Sequence, residues 1–161
     1  MGCGNYKKDD IAGARDRGCV CLAVRAIKDI QDAADQDCFD CKNDCFLEPL
    51  GSLVSPVGDA PNTRVFKLYN KKGDLFKVHP KHYCWKTPYF RVKNVFDDCC
   101  ATLQVLKKVH VTGEDVDSED ELMGLNRNFM YVLTGDCITV DLDCFCAIQC
   151  VDDVRVEGIC D

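Results

Sequence analysis

Residues 63–70 read TRVFKLYN, with Phe66 and Leu68 on one side and Val65, Lys67 and Tyr69 on the other, the period-two alternation of an extended strand. The pattern returns in PYFRVKNVF, where Phe90 and Val92 oppose Arg91 and Lys93. It returns again in ATLQVL, where Ala101, Leu103 and Val105 oppose Thr102 and Gln104. KKGD at Lys71 to Asp74 reads as a hairpin turn leading into LFKVH. FMYVL and CITVDLDCFCAIQC supply the last strands. Upstream the period is 3.6. From Cys19 to Gln36, Val20, Val24, Ile27, Ile30 and Ala34 fall at steps of mostly three and four, with Arg25, Lys28, Asp29 and Asp32 between them. One helix followed by roughly six to eight strands predicts a mainly β domain. The expected form is a single-domain β-sandwich or curled antiparallel sheet with one N-terminal α-helix.

The expected organisation is a flexible N-terminal arm over 1–18, the helix and a cysteine-rich loop over 19–46, a connector over 47–62 and a β-rich core over 63–161. The core and the 19–46 segment form one domain. The connector holds Pro49, Pro56, Pro61, Gly51 and Gly58, too many breakers for a regular element. GEDVDSEDE reads as a solvated acidic loop. Its aspartates and glutamates miss the calcium-loop template, with Asp120 in place of the glycine and Asn126 in place of the last glutamate.

Charge and composition exclude several functions. Twenty basic against 27 acidic side chains give a net charge of -7, with no basic stripe to neutralise phosphates, so nucleic acid is not an expected partner. No run approaches the length of a spanning helix, so a membrane is not expected either. MGCGNYKKDD and the residues after it contain no apolar run of signal-peptide length, and Tyr6 stands where an N-myristoylation site wants Ser or Thr.

The unusual feature is sulfur. Fourteen cysteines in 161 residues approach the roughly 8–10% at which short chains read as disulfide scaffolds. All are candidates for disulfides or cross-links: Cys3, Cys19, Cys21, Cys38, Cys41, Cys45, Cys84, Cys99, Cys100, Cys137, Cys144, Cys146, Cys150 and Cys160. Complete internal pairing allows about 135,000 connectivities, so the sequence selects none. The alternative is a zinc-binding module. Cys38 and Cys41 have the two-residue gap of a thiolate pair, but no other close pair repeats it. A nucleophilic role for one thiol would not account for fourteen, and His79, His82 and His110 carry no catalytic signature. No catalytic, metal or cofactor residue is therefore expected. Each disulfide typically adds about 2–4 kcal/mol against a domain stability of about 5–15 kcal/mol, so a full set would exceed what folding needs. That excess favours bonds between chains, with Cys144, Cys146, Cys150, Cys99 or Cys100, and the Cys38/Cys41/Cys45 loop as the leading sites.

CITVDLDCFCAIQC at 137–150 resembles the signature of the spore coat proteins CotY and CotZ and the exosporium protein ExsY of endospore-forming bacilli. FRVKNVFDDCCATLQVL at 90–106, and CVCLAV opening a helix that ends near Cys38 and Cys41, are similar in order and spacing. The acidic loop, and the lack of the histidine-rich tail that some members carry, are departures. The resemblance implies a non-enzymatic structural protein made in the mother-cell cytoplasm without a signal peptide. It further implies assembly with itself, and with other coat or exosporium proteins, into ring-shaped, hexamer-like units. Those units would extend to a two-dimensional lattice locked by disulfides.

Overall fold

In the computed structural model, residues 18–34, 61–124 and 128–159 are described. The order is α1 (Cys19–Ala34), β1 (Thr63–Asn70), β2 (Phe90–Val95), β3 (Cys100–His110), the short α2 (Glu119–Met123), β4 (Phe129–Asp141), a 3-10 turn (Leu142–Cys144) and β5 (Phe145–Val154). The protein is mainly β with one long helix, and the five strands form one antiparallel sheet in the order β4-β3-β2-β1-β5. Five strands among the described residues replace the expected six to eight. FMYVL and CITVD run together in the 13-residue β4, and LFKVH makes only isolated bridges, Leu75 to Tyr69 and Val78 to Thr87. The hairpin turn is where the sequence placed it, with Gly73 at φ 85 and its N–H donating to the Asn70 carbonyl at 2.9 Å.

The ladder is curled rather than split into two layers, as its register requires. Val140 pairs with Ala101, Ala101 with Val95, and Thr63 at the corresponding end of β1 with Val154. The chain nevertheless passes from Asp141 to Phe145, at the opposite end of β5, in a three-residue turn. That link spans at most about 14 Å, whereas the edges of a flat five-stranded sheet lie about 19 Å apart, before the length of β5 is added. Only a rolled sheet with steeply tilted strands satisfies both.

Phe66, Leu68, Phe90, Val92, Ala101, Leu103, Val105, Val140 and Leu142 form one core with Val20, Cys21, Val24 and Ile27 of α1. Phe76 packs into the same core, stacked on Phe90 at 5.6 Å and edge-on to Phe145 at 5.1 Å. Between Gln104 and Leu106 the β3–β4 register shifts, opposite Gly135 at φ 85. On the opposite face of the sheet, Leu106 alternates with Val105 and joins a second core with Val65, Tyr89, Val116, Leu122, Tyr131 and Val156. Because both faces are covered, Arg91 is 1% exposed rather than on a polar face. Its Nε donates to Thr63 Oγ1 at 2.9 Å and its Nη1 to Gln104 Oε1 at 2.8 Å.

The helix stripe also differs from the pattern. Ile30 is 51% exposed and Ala34 is exposed, while Gln31 is buried beside Val24 and Ile27. Strands β1 and β2 share one paired position, Phe66 with Phe90, and the Gln31 amide bridges them further along. Its Nε2 donates to the Val92 carbonyl at 2.9 Å, and its Oε1 accepts from Arg64 N at 3.1 Å. Gln31→Leu leaves two ladder groups without this partner, each costing about 1–3 kcal/mol if it stays unpaired. The expected loss is about 2 kcal/mol or more by urea denaturation, and an unchanged midpoint would refute the bridging role.

In the second core, burial raises the hydroxyl pKa of Tyr89 and Tyr131, and that of Tyr83 to about 12. Tyr89 and Tyr131 meet edge-on at 5.0 Å. An unfolded tyrosine ionises near 10. The stability linked to these neutral hydroxyls is therefore complete below pH 10 and is lost as pH rises toward 12. Thermal melts should hold steady up to about pH 9.5 and fall between pH 10 and 12, and Tyr131→Phe should soften that fall.

Candidate functional site

The first turn of α1, the β2–β3 turn and the β4–β5 turn converge at one end of the rolled sheet. The β2–β3 turn is tight: Phe96 N donates to the Cys100 carbonyl at 2.7 Å, and Cys99 N to the Phe96 carbonyl at 3.1 Å. It holds Cys99 at φ 60, the one positive φ at a non-glycine residue among those described. A side chain there costs about 1–2 kcal/mol, which glycine would avoid. The Cys99 side chain is used: it bonds to Cys21, with Cα atoms 5.6 Å apart across 78 residues of sequence. The Cys99 carbonyl accepts from Leu142 N at 2.9 Å. At the entry to α1, a Cβ on Gly18 would lie 3.3 Å from Asp143 Oδ1. Cys19, the Cys21–Cys99 bond, Cys100 and Cys144 are thus gathered from separate segments at one pole. Asp97, Asp98, Asp141 and Asp143 are exposed beside them.

The remaining described thiols lie elsewhere. Cys137 is exposed on β4, one edge of the sheet, and Cys150 is exposed on β5, the other. Cys146 sits at the register shift opposite Tyr69 and Asn70, its Sγ 2.9 Å from the Asn70 carbonyl. That shift breaks the common parity that an unbroken strand would give Cys144, Cys146 and Cys150. Cys84 is exposed in the loop after Tyr83, whose hydroxyl donates to the Lys108 carbonyl at 3.1 Å. β3 runs from Cys100 to His110. At about 3.4 Å per residue, Lys108 is about 27 Å along the strand from Cys100, beyond the roughly 7 Å limit on Cα separation in a disulfide. Cys19, Cys84, Cys137, Cys144 and Cys150 are exposed, and Cys100 is half-buried. Cys3, Cys38, Cys41, Cys45 and Cys160 lie outside the described residues, as do most of the arm, the cysteine-rich loop and most of the connector.

Among the described residues, one group of three metal-capable side chains has its donor atoms within 4.8 Å of one another: His110, Asp117 and Glu121. Local structure accounts for it. Ser118 Oγ accepts from Glu121 N at 3.2 Å, Glu121 Oε2 accepts from Asp117 N at 3.1 Å, and His110 Nε2 lies 3.7 Å from Glu121 Oε2. This is the Ser-x-x-Glu capping pattern, present at 118–121 and missed in the reading of the loop as merely solvated. Asp115 and Glu119 pair with Lys107 and Lys77 at 2.9 and 3.0 Å, and Val116 and Leu122 are buried. The acidic loop is strapped to the sheet. At the other edge, Arg64 grips Asp153 through two hydrogen bonds, at 2.6 and 2.7 Å. The bonds hold the Asp153 carboxyl below its usual range.

Fold and thiols together define a small cysteine-rich β protein with one internal disulfide among its described residues and exposed thiols on both sheet edges and one pole. No helix among the described residues is long and apolar enough to cross a membrane. Comparison with known families matches the chain to Spore coat protein Z over residues 2–153. It is 32% identical over 146 residues to Spore coat protein Z of Bacillus subtilis (strain 168), covering 83% of this chain and 88% of that protein. The chain belongs to the spore coat protein Z family, and its class is that of a structural component of the spore coat. No solved structure matches it.

Proposed function

We propose that the protein is a self-assembling, non-enzymatic building block whose exposed thiols join neighbouring copies into an extended sheet of the spore's outer layers. The observation that carries this reading is the distribution of sulfur. Among the described residues one bond, Cys21–Cys99, lies inside the fold, and Cys19, Cys84, Cys137, Cys144 and Cys150 are exposed on different sides of it. Bond formation takes two electrons and two protons from each thiol pair and passes them to an oxidant such as dioxygen. Reduced copies made in the mother-cell cytoplasm would first meet by non-covalent contact, and oxidation would then lock them. Among the described residues β4 and β5 are the edges of the sheet, the position from which one sheet pairs with another. A ring contact combined with a second self-complementary contact propagates a sheet rather than a closed particle. Ring-shaped, hexamer-like units and the coat or exosporium basal layer are the proposed form and place, with other coat proteins as further partners.

Non-reducing gels of the purified protein are expected to show ladders that collapse on adding reductant, and negative-stain microscopy to show ordered sheets. Monomer bands in both lanes would overturn the reading. About one zinc per chain, with thiols unreactive until a chelator is added, would favour the metal module instead.

A further inference from the structure

The Cys21–Cys99 bond lies where α1, β3 and the 3-10 turn meet, and each of these carries one further thiol within two residues of the junction. Cys19 precedes Cys21 in the first turn of α1, and Cys100 follows Cys99 and opens β3. Cys144 follows Leu142, whose N–H donates to the Cys99 carbonyl at 2.9 Å. Apart from the bond, local structure holds this junction weakly. The Gly18 carbonyl accepts the first hydrogen bond of α1, from Leu22 N at 3.1 Å. Glycine has no side chain to cap the remaining first-turn N–H groups, and the turn contains no acidic residue. The side chains that tie α1 to backbone carbonyls come later: Arg25 donates to the Phe96 carbonyl and Gln31 to the Val92 carbonyl. On the strand side Cys99 stands at φ 60, a conformation that side chains avoid, so its own preference works against the turn.

We propose that Cys21–Cys99 is a redox gate on this pole: it closes first, and by fixing the first turn of α1 and the β2–β3 turn it sets Cys19, Cys100 and Cys144 in the positions from which they bond to a second copy. Closure takes two electrons and two protons from the Cys21 and Cys99 thiols and passes them to an oxidant such as dioxygen. While the gate is open, Cys19, Cys21, Cys99, Cys100 and Cys144 are all thiols, and Cys100, next to Cys99 in the chain, competes with it for Cys21. Closure withdraws Cys21 and Cys99 and leaves three outlets. The other exposed thiols stand beyond its reach. Cys137 pairs with Gln104 in the β3–β4 ladder and Cys150 with Phe66 in the β1–β5 ladder. Cys84 follows Tyr83, which is tied to the Lys108 carbonyl. The gate stands on the geometry of the junction. Its use in joining copies rests on the assembly reading above.

The test follows the whole reduced protein as dioxygen oxidises it, with a short pulse of iodoacetamide at each time and peptide mass spectrometry. Trypsin releases residues 18–25 and 94–107, so the linked pair of peptides reports the bond together with the state of Cys19 and Cys100 beside it. Cys21–Cys99 should form before any bond between chains at Cys19, Cys100 or Cys144. In the linked pair Cys19 and Cys100 should label at least about fivefold more slowly than in the unlinked peptides, the lower end of the factor that a positive φ is worth. Cys84, Cys137 and Cys150 should label alike before and after closure. Cys21→Ala with Cys99→Gly removes the gate while suiting the positive φ. Its cross-links at Cys19, Cys100 and Cys144 should scatter over many partners, and those at Cys84, Cys137 and Cys150 should form as in wild type. Circular dichroism melts show whether this variant folds, and the wild-type time course decides if it does not. Bonds between chains at the three pole thiols that precede Cys21–Cys99 would overturn the gate, as would equal labelling in linked and unlinked peptides. So would an equal slowing of all six thiols at closure, because the bond would then hold the whole fold rather than the pole. Unequal labelling with no ladders at any protein concentration would keep the gate and remove the assembly reading. Ladders with equal labelling would do the reverse.

Discussion

Cys21→Ser is expected to lower the unfolding free energy by about 2–5 kcal/mol. The bond it removes closes 78 residues of sequence. The chain-entropy relation assigns a loop of that length about 4.5 kcal/mol at 25 °C. The bond is also the covalent tie between α1 and the β2–β3 turn, and Cys21 is fully buried, so serine would place a hydroxyl among Val20, Val24 and Leu142. In a domain of this size each kcal/mol moves the melting temperature by about 2–4 °C, so a drop of about 10 °C is the expected reading. Cys99→Ser should match it. Cys99→Gly should lose somewhat less, because glycine accepts the positive φ that Cys99 adopts. Adding reductant to the wild type should reproduce the loss and leave the Cys21→Ser variant unchanged. A variant as stable as wild type would show that the bond contributes nothing to the fold.

The opposite result is expected from replacing Cys19, Cys84, Cys137, Cys144 and Cys150 together with serine. Each is exposed, and surface substitutions of this kind usually change stability by no more than about 0.5 kcal/mol apiece. The five-fold variant should therefore fold and melt close to wild type while its non-reducing ladder collapses toward monomer. The two experiments separate sulfur that holds one copy together from sulfur that joins copies. An undiminished ladder from the five-fold variant would move the cross-links to the other cysteines and remove these five from the proposed function.

Much of the fold was legible because period two survives wherever one face of a strand is buried: the inward residues of β1, β2 and the first half of β3 are those the alternation selects. It failed where the other face was covered as well. Arg91 obeys the alternation and is still buried, because Thr63 and Gln104 satisfy its guanidinium. Gln31 continues the steps of Val20, Val24 and Ile27, so its burial was readable from spacing. Its polarity hid it until β1 and β2 were seen to need a bridge. The Cys21–Cys99 pair could not be read at all, since nothing local to either residue names a partner 78 positions away. Its neighbour Cys100, the first residue of β3, is left half-buried and outside that bond.

The placement of β5 has a consequence for biosynthesis. β1 obtains its outer neighbour only from residues 145–154, so a nascent chain that has emerged through β4 still presents β1 bare to other polypeptides on the ribosome. Cys21 and Cys99 are both available well before that point. Thiols kept reduced during translation let the last strand dock before any sulfur bond commits the helix. Premature oxidation would instead trap chains at the stage when their stickiest edge is open.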